Sequence, residues 1–591
     1  MFSVRLLSCN RSIICGYPHN IKLAHYSSTN RNRKRRNAQQ LVKTDQRNVL
    51  DDEQYYDRDF DDSRQIQSQK KNFNIKFQNV DSIFGTKHRN ALYDDDDDDI
   101  KLAQVKRNTN NKRLVKQVNR KFEREQIIKN NPITDGTDDT IVHNKNIRDS
   151  IFKKIERRVL IPLPYDINKV NRFDILNQTI IPLYNMPYNM QLKKKYNYCA
   201  QILTKFGHKL SEINNPVQIN SNGLPCQLEH VRESPRTEQY RNKDEFSVWP
   251  GIDGNSKTVG FFVGQPSIHE RVVCVEPDHL FITKQSHIEL SKKFQDYLRN
   301  VSPYDYCQNY GLRGHWRRLC IRSNENDEHM IIGNMNPQDL TTEQLEQEMY
   351  RFKQFFSDDQ RIRSLYFHTS KNTRSTHSKE PYYHLAGKET IEEQILGHQF
   401  FISPSSFFQV NTTASEVLYR VIMGEMNAKR KTIMLDLCCG TGTLSILMGN
   451  QVKQIFAIDS SESAINDAKR NASANNLANV NFVVGTVEDV LPKLMDNISS
   501  KDLNNVVAVL NPSRRGLHSR AIKAIQRMEF IKRVIYISCK PDGEAFNNFV
   551  QLCRPPQSNY DYQPFVPINA VPVDLFPHTS HCELIVTFER F

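Results

Sequence analysis

Over about the last 190 residues of the chain, apolar positions gather into short runs that alternate between two periods. Thr432-Ile433-Met434-Leu435-Asp436-Leu437-Cys438 is continuous enough for a strand buried on both faces. Cys439-Gly440-Thr441-Gly442-Thr443 stops it, and helical spacing follows over 443–450. The next strand, Ile455-Phe456-Ala457-Ile458, ends at Asp459. Helix 461–475, strand 480–485, helix 487–495, strand 504–510, helix 517–527 and strand 533–538 continue the alternation. Two last strands, near 567–574 and 582–589, close the sheet as a hairpin. This order predicts an α/β, doubly wound sheet over 396–591.

Upstream the pattern changes. After Pro182-Leu183-Tyr184, the residues Tyr198, Ile202, Leu203, Phe206 and Leu210 recur at helical spacing. Strands 240–248 and 258–264 flank a turn at Gly251-Ile252-Asp253-Gly254. Strand 314–322 carries Arg317, Arg318 and Arg322, with an alternation that puts basic side chains on one face, and helix 341–357 follows. Residues 155–395 are therefore expected to hold N-terminal helices and a central α+β region, a plausible platform for RNA. From 45 to 154 the chain is rich in Asn, Asp, Gln, Lys and Arg and includes the run Asp94 to Asp99. So little apolar surface cannot offset the entropy of ordering, which predicts a disordered polar tail. The acid run reads as solvated; the alternative is a clasp on the basic stretch before it.

That stretch, 1–44, has no Asp or Glu and nine Lys or Arg, interleaved with Leu6, Leu7, Ile13, Ile14, Ile21 and Leu23. It has the pattern of a mitochondrial transit peptide. The alternative is a basic arm for nucleic acid or nuclear import, which leaves cytosol or nucleus as the other locations. The formal net charge of +14 agrees with an anionic partner. The chain contains no uninterrupted apolar stretch of about 18 residues, so no membrane-spanning helix is expected. Its twelve Cys form no CxxC pair, which argues against a disulfide scaffold or a thiolate zinc ribbon, and no metal is expected.

The candidate chemistry lies at strand ends. A glycine turn at 440–442, with an acid some 19 residues past Gly440 on the next strand tip, suits a nucleoside ligand: backbone approaches it and Asp459 accepts from ribose hydroxyls. A dinucleotide would need a third glycine at the helix start, which Gly442-Thr443-Leu444-Ser445 lacks. A donor without phosphates, S-adenosylmethionine, fits better. Asn511-Pro512-Ser513-Arg514-Arg515-Gly516 and Ser538-Cys539-Lys540-Pro541 follow two further strands. Beside Lys540 and Arg514, Cys539 is expected to have a lowered pKa and a raised thiolate fraction. Glu583 opens the last strand. A thiolate and a carboxylate are what methylation of a pyrimidine C5 requires: the thiolate adds to C6 and makes C5 nucleophilic, and a base removes the C5 proton so that the thiolate leaves.

Taken with Ser403-Pro404-Ser405-Ser406-Phe407-Phe408-Gln409-Val410-Asn411 and Phe576-Pro577-His578-Thr579 through Glu583, these motifs resemble the RNA uracil-5-methyltransferase family, which forms 5-methyluridine in tRNA and rRNA. The resemblance covers about 180–591. It is strongest to the animal mitochondrial branch, through Asn511-Pro512, Ser538-Cys539-Lys540 and the stretch 571–579. It implies a Rossmann-like S-adenosylmethionine-dependent methyltransferase domain, an upstream α+β RNA-binding domain, and tRNA, small-subunit rRNA or both as substrate. It also implies roles: Gln409 holds the donor, Cys438, Gly440 and Thr443 form the turn beneath its methionine part, and Asp459 takes the ribose. Asn511 stands beside donor and base where relatives have Asp, Cys539 is the nucleophile and Glu583 the base. Cluster-bearing bacterial relatives use four upstream cysteines; here Cys199 and Cys226 are isolated and Asp244 takes a position often held by Cys, so no iron–sulfur cluster is expected. No membrane association or obligate protein partner is expected. Two rival readings remain. An adenine amino-methyltransferase would need an aromatic where Arg514 stands. A catalytically weak RNA-folding protein on the same fold would agree with Asn511 but leave Cys539 and Glu583 unused.

Overall fold

The computed structural model describes residues 162–163, 166–265, 269, 271–308, 313–370, 380–494, 498–556 and 562–591. The expected transit peptide, the polar tail and the run Asp94 to Asp99 lie outside them. Helices α1 (Arg172–Ile180) and α2 (Tyr188–Glu212) lead to a short strand, β1 (Gln227–Leu228). Next come β2 (Lys243–Trp249), β3 (Thr258–Val263), β4 (Val273–Val275), α3 (Gln285–Asn300), β5 (Trp316–Ser323), β6 (His329–Met335), α4 (Thr342–Phe356), β7 (Ile362–Thr369) and β8 (Tyr382–Gly387). The hairpin of β9 (Ile391–Ile395) and β10 (His398–Ile402) precedes α5 (Thr412–Met426). Strict alternation then begins: β11 (Ile433–Leu437), α6 (Thr443–Met448), β12 (Gln454–Asp459), α7 (Glu462–Ala474), β13 (Val480–Val484) and α8 (Val487–Leu494). It ends with β14 (Val506–Leu510), α9 (Ser519–Arg527), β15 (Ile531–Ser538), α10 (Glu544–Leu552), β16 (Val566–Val573) and β17 (Glu583–Glu589).

The last set forms an eight-stranded sheet in the order β1-β16-β17-β15-β14-β11-β12-β13. Strands β13, β12, β11, β14 and β15 pair in parallel, and β17 runs antiparallel to both β15 and β16. The chain moves outward one way from β11 through β12 and β13, then the other way through β14 and β15. That reversal opens a crevice at the carboxyl ends of β11 and β14, where α/β sheets bind ligands. The predicted final hairpin is present and puts Glu583 at the same end. Two apolar layers cover the sheet. One includes Leu435, Ile458, Leu510, Tyr536 and Leu584, and α2 joins it through Cys199, Leu203, Phe206 and Leu210. Helix α2 and β1 therefore lie upstream of residue 396 in sequence yet pack with the catalytic sheet in space.

The central sheet has the order β4-β3-β2-β5-β6-β7-β8, with α3 and α4 on the face formed by Phe246, Trp316, Leu319, Ile331 and Phe367. Arg318 and Arg322 share one face of β5, as expected: their register against β2 is unbroken, and Leu319 and Ile321 between them turn to the core. Both are held by protein partners. Arg318 pairs with Glu245 at 2.9 Å, and Arg322 is buried with its Nη2 donating to the carbonyl of Ser406 at 2.7 Å. Arg322, buried on its structural partner, is not available to RNA phosphate.

One cation near the C-terminus stabilises the catalytic sheet. The last three carbonyls of a helix and the residue after it lack intrahelical donors. Arg590, 3% exposed, supplies them at the end of α9, with Nη1 on Gln526 O at 2.6 Å and Nη2 on Ile525 O at 3.2 Å and on Met528 O. Its Nε donates to Ile531 O at 2.8 Å. Arg590→Ala should lower unfolding stability by at least about 3 kcal/mol, since each stranded buried carbonyl costs ~1–3 kcal/mol. Denaturant titration checks this; a change within about 0.5 kcal/mol would show that water replaces the guanidinium.

Candidate active site

The glycine turn is built from left-handed backbone. Cys438, Gly440 and Gly442 have φ of 71°, 55° and 75°. The amides of Cys438 and Cys439 both donate to the carbonyl of Ile458, at 2.9 and 3.0 Å, so the end of β12 fixes the turn after β11. The two glycines serve different ends. A Cβ at Gly442 would lie 2.9 Å from the Phe482 ring and 3.0 Å from Ala468, whereas one at Gly440 meets nothing within 4 Å. Gly440 thus faces open space, the side from which a ligand approaches backbone. Asp459 sits at the tip of β12, its Oδ2 accepting from Gly440 N and its Oδ1 from Ser461 N, both at 2.9 Å. Each carboxylate oxygen keeps a lone pair for another donor. Thr443, buried, begins α6 beside Thr441, their hydroxyl oxygens 3.4 Å apart. Asp436, unmarked by the sequence reading, is buried in the strand below; it accepts from Ser445 Oγ at 2.6 Å, and burial raises its pKa to about 6. An acid inside an otherwise apolar run was the available signal.

Helix α7 holds the second element. Its residues Asp467 and Asn471 and the Asn475 that caps its end recur every fourth position and so share one face. Asn475 Oδ1 accepts from Gln399 N at 3.1 Å, Asn471 Oδ1 from Phe401 N at 2.7 Å, and Asp467 from Ser403 Oγ at 2.6 Å and from Ser406 Oγ. Asn471 also reaches Thr441 O at 3.4 Å, so one helix ties the 399–406 segment to the glycine turn. The segment then delivers Phe407 to solvent, at 62% exposure, and Phe408 and Gln409 to the interior, at 3% and 8%. Asn242 secures the carbonyl of Gln409 at 2.8 Å.

The third element joins β14, β15 and β17. Asn511 follows β14 and donates its amide to Leu437 O at 3.2 Å, across the switch point. Ser538 pairs with Leu584, so Cys539 and Glu583 are neighbours across β15 and β17. Glu583 is 4% exposed, and burial raises its carboxyl to about 7, with Arg514 pulling against the shift. Cys539 reverses the sequence expectation. Burial raises its pKa, the Glu583 carboxylate adds to that, and Arg514 only partly offsets them. Lys540, the expected cause of a lowering, does not figure among the influences on the thiol. Arg514, expected beside Cys539 from the sequence, is the cation for both groups; its reach to Glu583 was not foreseen. Tyr419 of α5, also unmarked, is buried beside Thr443, Asp436 and Glu583.

A family model described as tRNA (Uracil-5-)-methyltransferase matches residues 384–590. The zebrafish (Danio rerio) tRNA (uracil-5-)-methyltransferase homolog B is 40% identical over 421 residues, covering 70% of this chain and 86% of that protein. Its human counterpart is 37% identical over 426 residues, covering 70% and 84%. The human homolog A is 38% identical over 424 residues, covering 70% and 67%. The chain belongs to the tRNA (uracil-5-)-methyltransferase family. It is an enzyme, a methyltransferase, and its three elements enclose the ends of β11, β12 and β14 as a donor site requires.

The residues of this methyltransferase fit S-adenosylmethionine. Open space at Gly440 admits a ligand to backbone, an acid stands at the tip of the following strand, and the start of α6 lacks the third glycine that a pyrophosphate would use. Among the described residues no three His, Cys, Asp or Glu side chains are gathered to hold a metal ion. Asp459→Ala removes an acceptor whose charge-assisted hydrogen bond is worth about 1.5–3 kcal/mol. Donor affinity should fall by about ten- to a hundredfold, with RNA affinity nearly unchanged. Calorimetric titration of donor and RNA separately checks this; unchanged donor affinity would take Asp459 out of the site.

Proposed function

We propose that this enzyme methylates C5 of a uridine in the T-loop of tRNA, in small-subunit rRNA or in both, within the mitochondrial matrix. The matrix location rests on the acid-free basic stretch 1–44. The chemistry rests on one observation: the Ser538–Leu584 pair brings Cys539, just past β15, close to Glu583, at the start of β17, at the crevice of a methyl-donor fold. When bound, S-adenosylmethionine supplies an electrophilic methyl group, held by Gln409, Asp459, Asn511 and the turn of Cys438, Gly440 and Thr443. The Cys539 thiolate forms a bond to C6 of the uracil, and the displaced electron pair makes C5 the nucleophile. Once C5 carries the methyl group, the Glu583 carboxylate takes its proton. The C5–H pair re-forms the C5–C6 double bond and the thiolate leaves.

A paired, stacked uridine does not offer C6 to a thiolate, so the base must be extruded, which costs least from a loop. Exposed Phe407 lies at the end of the donor-side segment and can stack on an extruded base, while Phe408 belongs to the core. Arg515 is exposed beside Arg514 on the same strand-tip motif. A hairpin with its uridine in the loop should be methylated at least about a hundredfold faster than the same uridine in a duplex, given a few kcal/mol of unpairing. Affinity for both should fall as salt rises. Equal rates would sink the extrusion step. Mapping 5-methyluridine in mitochondrial tRNA and small-subunit rRNA, with and without the protein, tests location and substrate together.

A further inference from the structure

The carboxyl group of Glu583 accepts no hydrogen bond among the described residues. Its position is therefore set by backbone: Glu583 pairs with Val573, and Leu584 beside it with Ser538. The segment 574–582 leads from β16 into Glu583, and upstream chain holds this segment at successive points. Four consecutive carbonyls each accept from a different residue: Leu575 from Asn411 Nδ2 at 3.1 Å, Phe576 from Lys195 Nζ at 2.9 Å, Pro577 from Tyr240 Oη at 3.1 Å, and His578 from Leu183 N at 2.9 Å. Lys195 also pairs with Asp574 at 2.6 Å, with the two side chains 1% and 0% exposed, and Asp574 Oδ1 in turn accepts from Phe576 N at 3.1 Å. Gln191 accepts from His578 N at 2.8 Å.

A buried ion pair has a plain structural reading, in which charge is neutralised and nothing more. Two features exceed it. Both partners clasp the backbone of the same residue, Phe576, and of the further donors Asn411 holds Leu575 before it while Tyr240 and Leu183 hold Pro577 and His578 on the side of the strand that carries the base. We propose that this clamp sets the position of Glu583 for removal of the C5 proton, with Lys195, Asp574 and Tyr240 as positioning residues. The proposal rests on Glu583 being the base. It assigns α2, 379 to 387 residues away in sequence from the loop it holds through Lys195 and Gln191, a part in the release step.

The test compares Lys195→Met/Asp574→Leu with the parent enzyme. Replacing both members of a buried pair by apolar residues is commonly tolerated by the fold. The double variant should form the adduct with RNA carrying 5-fluorouracil at the parental rate, because that needs addition by Cys539 and methyl transfer but no removal of a C5 proton. On ordinary uridine RNA its kcat should fall by about 10- to 100-fold with KM unchanged, as expected for a misplaced group, and a covalent RNA–protein complex should accumulate. Parental kcat with no trapped complex would overturn the proposal. Should the double variant fail to fold, Tyr240→Phe removes one donor without changing shape; it should show the same trapped complex to a smaller extent, and its absence overturns the proposal equally. Glu583→Gln is run beside them. If it traps no complex, the assignment of the base fails and the proposal falls with it; if it traps complex and the clamp variants turn over normally, the clamp proposal alone fails.

Discussion

Cys539→Ala is expected to abolish methyl transfer, with kcat lower by on the order of 10⁴-fold or more, as for loss of other covalent nucleophiles. It should also abolish the adduct with RNA carrying 5-fluorouracil. Addition to C6 alone is reversible, but once C5 carries both fluorine and the new methyl group it has no proton to lose and the sulfur cannot leave, so the adduct reports attack and methyl transfer without proton removal. Donor binding should persist, because the glycine turn, Asp459 and Gln409 are anchored through β12, α7 and Asn242 and not through β15. Denaturing gels and donor titration read the two effects separately. An Ala variant that still formed the adduct would remove Cys539 from its role. The raised thiol of the free enzyme gives this step a pH dependence: Cys539 lies above the ordinary thiol range, so addition should quicken as pH rises past neutrality.

The catalytic sheet was legible because its strands are buried on both faces and its helices lie on the surface, so the two periods separate cleanly. Strand β11 and the tip of β12 fall where the apolar runs ended. The active pair was legible for a different reason: residues immediately after parallel strands face the crevice whatever the rest of the fold does. What failed were statements that depend on neighbours far away in sequence. Arg322 looked like part of a basic face, and only the fold shows it on Ser406, 84 residues on. The sign of the Cys539 shift was inferred from Lys540 and Arg514, but burial and Glu583, brought in by β17, outweigh the pull of Arg514. Helix α2 read as an upstream helix of the RNA-binding region, since nothing in its amphipathic pattern says that Cys199 and Phe206 pack on the catalytic sheet. Polar ladders are equally opaque: Asp467, Asn471 and Asn475 resemble a solvated helix face until the 399–406 segment lies on them.

Glu583→Gln is expected to uncouple attack from release. Glutamine keeps the size of the side chain and removes its capacity to take a proton. Addition should not suffer, because the charge that raises the Cys539 thiol disappears with the carboxylate, and the thiol should ionise more readily. Methylation of C5 then proceeds, but the C5 proton has no acceptor, the double bond cannot re-form and the sulfur stays on C6. A methylated RNA–protein complex should therefore accumulate on ordinary uridine RNA, while turnover falls by about 10²–10⁴-fold, the range for loss of a general base. The pH profile adds a second reading. Burial holds the wild-type carboxyl at about 7, so below that pH the group is mostly protonated and cannot accept; turnover should fall as pH drops through 7. The variant has no such group, and the acid limb due to Glu583 should be missing from its rate of complex formation, leaving only that of the thiol. Loss of turnover with no trapped complex, at any pH, would make Glu583 a structural acid and would require another base within reach of C5.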